Sequence, residues 1–180
     1  MKQRKSHQFT LVLKNIDEKT AGLEDSLYET GCDDALMNYR NGAVYLEFDR
    51  EAKSLEDAVI SAIKDVRSAS IDADVVSIAP ENLVTEAEIA KRLDLSRQTV
   101  SLWIKGERRS GFPAPMMRLS EKSPLWQWSE VAVWLFKNKI IKDQKVVDDA
   151  LFFANINAVL GELDKKTRAM RHHLLERITY

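Results

Sequence analysis

The residues best suited to chemistry in this chain lie together at Ser96-Arg97-Gln98-Thr99-Val100-Ser101. Arginine can make two hydrogen bonds to guanine and glutamine two to adenine, while serine and threonine fit between larger groups. On a helix, Val100, Trp103 and Ile104 would share one face. Arg97, Gln98 and Ser101 would share the opposite face, with Thr99 beside them. Such a helix is apolar where it packs and polar where it meets a partner. Ser96 is a good N-cap for it, and the amide end of the helix attracts phosphate. The chemistry this pattern predicts is hydrogen bonding to base edges in double-stranded DNA. The plainer alternative is a surface helix whose Arg and Gln are merely solvated.

No other set of residues competes with this one. No nucleophile, base and oxyanion donor come together, so no enzyme is expected. There is no Gly-rich phosphate loop and no metal-ligand spacing, so no cofactor or metal is expected either. Asp33-Asp34 and the Asp72/Asp74 pair read as solvated strand ends. His172-His173 would point about 100° apart on a helix, which does not suit a shared metal. Trp103 and Trp134 read as core. One of Trp126 and Trp128 is expected to face outward if that segment is a strand; the alternative for the four tryptophans is a base-stacking surface for single strands. Cys32 is the only cysteine, so no internal disulfide forms and a reducing, cytoplasmic setting is expected.

The 180 residues carry 27 basic and 28 acidic side chains, a formal net charge of −1. That total excludes a uniformly basic coat but hides an asymmetry. Residues 1–8 form a basic N-terminal arm with three cations. Residues 9–80 hold 7 basic and 15 acidic side chains, and residues 81–140 hold 10 and 7. Within residues 91–118 there are seven cations and two anions. An acidic first domain thus precedes a locally basic second one, and the two parts point to different partners. Phe9 to Ile16 is too short and interrupted for a signal-peptide core. No apolar run approaches the roughly 20 residues that cross a bilayer, so no membrane partner is expected.

Residues 9–15 alternate as a strand, 18–30 read as a helix ending at Gly31, and 35–40 and 43–48 flank Asn41-Gly42. Asn-Gly readily takes positive φ at both positions, which a type I′ hairpin requires. Ser54 and Asp57 resemble a capping box. Beyond them Leu55, Ala58, Val59, Ala62, Ile63 and Val66 form one helical stripe. Residues 73–79 are a last strand, ended by Pro80. The order β-α-β-β-α-β predicts a ferredoxin-like sandwich over residues 9–80, within an α+β chain. Its acidity speaks against RNA binding and favours a protein partner, a dimer contact or a small ligand.

Thr85-Glu86-Ala87-Glu88 is a second capping box, opening a helix that buries Ile89, Ala90 and Leu93. Asp94-Leu95-Ser96 turns into the Arg97–Lys105 helix. A glycine-bounded basic loop, Gly106 to Gly111, leads to Phe112-Pro113-Ala114-Pro115, Met117-Arg118-Leu119, and Leu125 to Leu135. In SRQTVSLWIKG, FPAP, MRL–SEKSP–LWQW and SEVAVWL, residues 83–137 resemble the AlpA/excisionase branch of MerR-like winged helix-turn-helix proteins. The resemblance implies a winged helix-turn-helix over residues 81–140. Its wing would run from Met116 to Trp128, with Ser120–Pro124 at the tip. It implies Arg97, Gln98 and Ser101 as base readers, and Thr99, Lys105, Arg108, Arg109, Arg118 and Lys122 as phosphate contacts. The loop before Phe112 is longer than the family's, and Glu121 sits beside Lys122 in the wing tip.

Residues 141–180 read as a long C-terminal helical region with a broad apolar surface: Val146, Val147, Ala150, Leu151, Phe153, Ala154, Val159, Leu160 and Leu163. Phe152 and Ile156 extend it, and Met170, Leu174 and Ile178 continue at period four. Such a surface must be covered, either by a second chain in a homodimer or by packing on the acidic domain. The functional expectation is a sequence-specific DNA-binding regulator, a repressor of phage, plasmid or mobile-element type. The alternatives are an excisionase-like architectural factor, or an antitoxin-like protein whose acidic domain binds a protein.

Overall fold

The computed structural model describes residues 3–163 and 165–179. It is a mixed α+β protein with one four-stranded antiparallel sheet and, among the described residues, seven helices. The chain divides into two compact units, one formed by residues 1–80 with 155–180 and the other by 81–154.

In the first unit, strand β1 (Lys5–Lys14), helix α1 (Leu23–Glu29), β2 (Ala35–Arg40), β3 (Ala43–Ala52), α2 (Leu55–Ser68) and β4 (Asp74–Ala79) follow in order. The sheet order is β2-β3-β1-β4, and every neighbouring pair is antiparallel. Alternation works as the side-chain period of two requires. His7, Phe9, Leu11 and Leu13 of β1 are buried on one face, as are Val44, Leu46, Phe48 and Arg50 of β3. Phe9 lies opposite Phe48 in the register, and their rings stack at 5.0 Å. Helix α2 covers this face of β1, β3 and β4 with Ala58, Val59, Ala62, Ile63 and Val66. Its N-cap is Ser54, whose hydroxyl accepts the Asp57 N–H at 3.1 Å. Asn41 (φ 52°) and Gly42 (φ 81°) make the turn between β2 and β3, both in the left-handed region that hairpin needs.

Three expectations are corrected in this unit. Strand β1 begins at Lys5, so Lys5 to Gln8, read as part of a basic arm, pair with Ala52 to Asp49. Helix α1 is shorter than residues 18–30 and starts at Leu23, because Asp17 to Thr20 close a turn instead. Strand β3 runs to Ala52, four residues past Phe48, and carries Arg50 into the buried face.

The second unit begins with β5 (Leu83–Val84), α3 (Glu86–Arg92) and α4 (Arg97–Ile104), and continues with β6 (Trp126–Gln127) and α5 (Trp128–Lys137). Strand β6 pairs antiparallel with β5. The core gathers Val84, Ile89, Val100, Trp103, Trp126, Trp128, Val131, Trp134 and Leu135. Helix α6 (Gln144–Leu163) adds Val147 and Ala150 to it. Farther along α6, Asn157 hydrogen-bonds the backbone of Ile78 on β4 in both senses, accepting its N–H at 2.8 Å and donating to its carbonyl at 2.9 Å. Helix α7 (Lys165–Thr179) follows. A side chain at Gly161 would lie 3.3 Å from the Arg171 guanidinium, so α7 turns back on the end of α6. No helix among the described residues is long and apolar enough to cross a membrane.

Candidate nucleic-acid interface

Helices α3 and α4 are set by two caps and a tight turn. The Thr85 hydroxyl accepts the Glu88 N–H at 3.2 Å, and the Glu88 carboxylate takes the Thr85 N–H at 2.6 Å. Those hydrogen bonds to the ionised carboxylate, from the Thr85 backbone and hydroxyl, hold Glu88 below the usual carboxylate range. The chain leaves α3 through Asp94 at φ 53°, a conformation Asp tolerates better than most residues. The Leu95 N–H reaches back to the Ala90 carbonyl at 2.9 Å. Ser96 then caps α4, accepting the Thr99 N–H at 3.2 Å, with the two hydroxyls 2.9 Å apart.

Helix α4 sorts its side chains as its periodicity demands. Val100 and Trp103 are buried and Ile104 is half-buried against the same core. Arg97 and Gln98 are exposed, and Thr99 and Ser101 are half-exposed. Arg97 Nε lies 3.3 Å from the Glu86 carboxylate at the start of α3. The Arg97 side chain is 65% exposed there, so this pair orients the guanidinium without burying it. Glycine at 106 (φ 70°) lets the chain leave α4 while the Glu107 N–H closes on the Leu102 carbonyl at 2.9 Å.

The basic loop after α4 is anchored from below by aromatic rings. Trp134 Nε1 donates to the Ser110 carbonyl at 3.1 Å, and Trp126 Nε1 donates to the Pro113 carbonyl at 3.1 Å. Phe112 packs edge-on against Trp134 at 4.9 Å and against Trp126 at 6.4 Å. A buried indole N–H needs an acceptor; here two loop carbonyls supply it, and the loop gains two fixed points. Lys105 and Arg108 stand exposed. Arg109 is also exposed and donates to the Asn138 carbonyl at 2.9 Å, closing the C-terminus of α5.

Beyond the loop, Met117 and Leu125 exchange backbone hydrogen bonds at 3.2 and 2.9 Å. Arg118 (φ 55°), Ser120, Glu121 and Lys122 lie exposed in the turn they close. Arg118 sits 3.9 Å from Glu121, so the cation and anion of this tip offset each other in part.

Among the sites read from the sequence, Ser96, Arg97, Gln98, Thr99, Ser101, Lys105, Arg108, Arg109, Arg118 and Lys122 all fall in the unit of residues 81–154. The expectation that Trp126 or Trp128 faces outward is overturned: both are buried. Residues two apart on a strand share a face, so alternation separates neither tryptophan from the core, and Trp128 is in any case the first residue of α5 rather than a strand residue. Its ring lies under the Arg92 guanidinium at 5.0 Å. All four tryptophans are therefore core, and none offers a face for stacking on single strands.

One residue of the carboxylate pairs in the first unit differs from expectation. Asp34 is not a solvated strand end. It makes two 2.8 Å hydrogen bonds to Arg50, which also reaches Asp65 at 2.6 Å and Ser61 at 3.0 Å. Burial acts against the Arg50 charge, but these carboxylate partners outweigh it and raise its pKa. Asp33 and Asp72 are exposed, and Asp74, the first residue of β4, is 36% exposed, 3.7 Å from Lys14 and 3.5 Å from Arg67.

No protein-family model, curated protein or solved structure matches the chain.

Proposed function

We propose that the protein is a sequence-specific reader of double-stranded DNA that regulates transcription. In this reading residues 81–140 form a winged helix-turn-helix and residues 9–80 a ferredoxin-like domain. The observation that carries the reading is the face of α4 opposite the core, where Arg97 and Gln98 are exposed beside half-exposed Ser101. These are the donors and acceptors that match base edges in a major groove. The N-terminal residues of such a helix lie nearest the groove floor. Lys105 and Arg108, exposed just past the same helix, would take phosphates. The exposed tip at Arg118 and Lys122 would act as the wing. The strand order β2-β3-β1-β4 supports the ferredoxin-like assignment, because that order is what a split βαβ pair gives.

The test is fluorescence anisotropy with the duplex upstream of the protein's own gene, against a scrambled duplex, at two salt concentrations. Selective binding that weakens about 5- to 150-fold in Arg97→Ala or Gln98→Ala supports the reading. Equal binding to both duplexes favours an architectural DNA-binding factor instead. Absence of binding at low salt sinks both.

A further inference from the structure

Helix α7 and the cleft between α1 and β2 pair apolar surface and opposite charge, yet each is open to solvent. Met170, Leu174 and Ile178 recur every four residues along α7 and are 60, 44 and 81% exposed. At 100° per residue they make one stripe, with Arg171 on one side and Arg177 on the other. Glu176 lies on the far side of the helix, 3.3 Å from His172. A lone helix of 15 residues is marginal in water, so a helix with this stripe gains stability when something covers it.

The cleft has the complementary character. It encloses about 400 Å³ between α1 and β2, floored by Leu27, Met37 and Leu46. Its rim carries Glu24, Asp25 and Asp33, all exposed. Tyr28 stands at its mouth, 69% exposed, offering apolar surface to an occupant. Strand β2 is an edge of the sheet, so no neighbouring strand closes this side.

We propose that α7 of a second copy of this chain seats in the cleft, Met170, Leu174 and Ile178 inward and Arg171 and Arg177 against the acidic rim. Each chain offers one helix and one cleft. Two identical contacts therefore close a twofold dimer with no open end. The pairing of opposite charges sets which surface α7 chooses among those available. The proposal rests on the DNA-reading function only for its purpose, since a reader of two half-sites needs a dimer.

The experiment measures mass against concentration by sedimentation equilibrium, on the full chain and without DNA, so its result is independent of whether DNA is read. The wild type should be a dimer. Arg171→Glu with Arg177→Glu should weaken the dimer about thirtyfold, as should Glu24→Lys with Asp25→Lys. Combining all four should restore it to within about threefold. Tyr28→Asp, at a site already exposed in one chain, should also weaken dimerisation without loss of helix content. A wild type that stays monomeric overturns the proposal. So does a dimer indifferent to the cleft changes, or a loss from the α7 changes that the cleft changes do not rescue.

Discussion

Arg50 shows how one residue ties together elements that lie far apart in the chain. It sits on the buried face of β3, two residues past Phe48, with its guanidinium 4.8 Å from that ring. Its partners come from the start of β2 and from α2, through Asp34, Asp65 and Ser61. Removing the cation would leave two carboxylates facing each other. Arg50→Ala should therefore lower stability by about 3 kcal/mol in urea unfolding, at the low end for a broken buried pair because both carboxylates are near 30% exposed. Cys32 makes a second prediction at this scale. Burial, and next the charge of Asp65, push its thiol up to about 12. The unfolded thiol ionises near 9.0 while the folded one keeps its proton, so the unfolded state binds fewer protons above that pH. The thiol's contribution to stability is complete below pH 9 and fades as pH rises toward 12. Urea midpoints should fall over that window, with a shallower fall in Cys32→Ala. His7 makes a third. It is buried, and among the described residues its Nε2 has no hydrogen-bond partner. His7→Phe should leave the urea midpoint unchanged or raised, because no hydrogen bond at that atom is lost.

Elements are fixed here mainly by their ends. Helix α3 has both halves of its capping box, Thr85 to Glu88 and back. Helix α4 has the Ser96 cap, whose hydroxyl also meets Thr99. Thr85→Ala should cost about 1 kcal/mol in thermal or urea unfolding, while leaving the exposed face of α4 chemically intact. At low salt the affinity of folded Thr85→Ala for DNA should match the wild type, and Gln98→Ala should show the reverse pattern. Strand β4, the other edge of the sheet, is closed differently. Asn157 of α6 pairs with the Ile78 backbone as a strand would, which blocks that edge from further strand addition.

At the scale of the whole molecule, charge is divided between two units. The acidic segment 9–80, at −8, and the cation-rich segment 91–118, at +5, are both hidden within the total of −1. Only a local measurement reveals the second. If about five cations per subunit touch phosphate in a dimer, log affinity for DNA should fall with log salt at a slope near −9. A monomer making the same contacts should show about half that slope. A slope near −2 would exclude a footprint of this size.

The sequence by itself determined whatever depends on near neighbours. Alternation placed β1 to β4, period-four stripes placed α2 and α4, Asn41-Gly42 placed the hairpin, and Ser or Thr three residues before Asp, Glu or Thr placed the caps. The exposure of Arg97 and Gln98 was legible too, because a helix with one apolar face has only one other face to offer. Three features were decided only when the chain folded. Arg50 lies in a charged run, Asp49-Arg50-Glu51, beyond the strand read at residues 43–48; its burial depends on acids 16 and 15 residues away. Trp128 opens helix α5 because the strand stops at Gln127, a boundary fixed by Asn82, which accepts the Trp128 and Ser129 N–H groups. Asn157 meets Ile78 across 79 residues. Burying a charge or a backbone edge is favourable only when its partner arrives, and that arrival is a property of the packed chain, not of any local window.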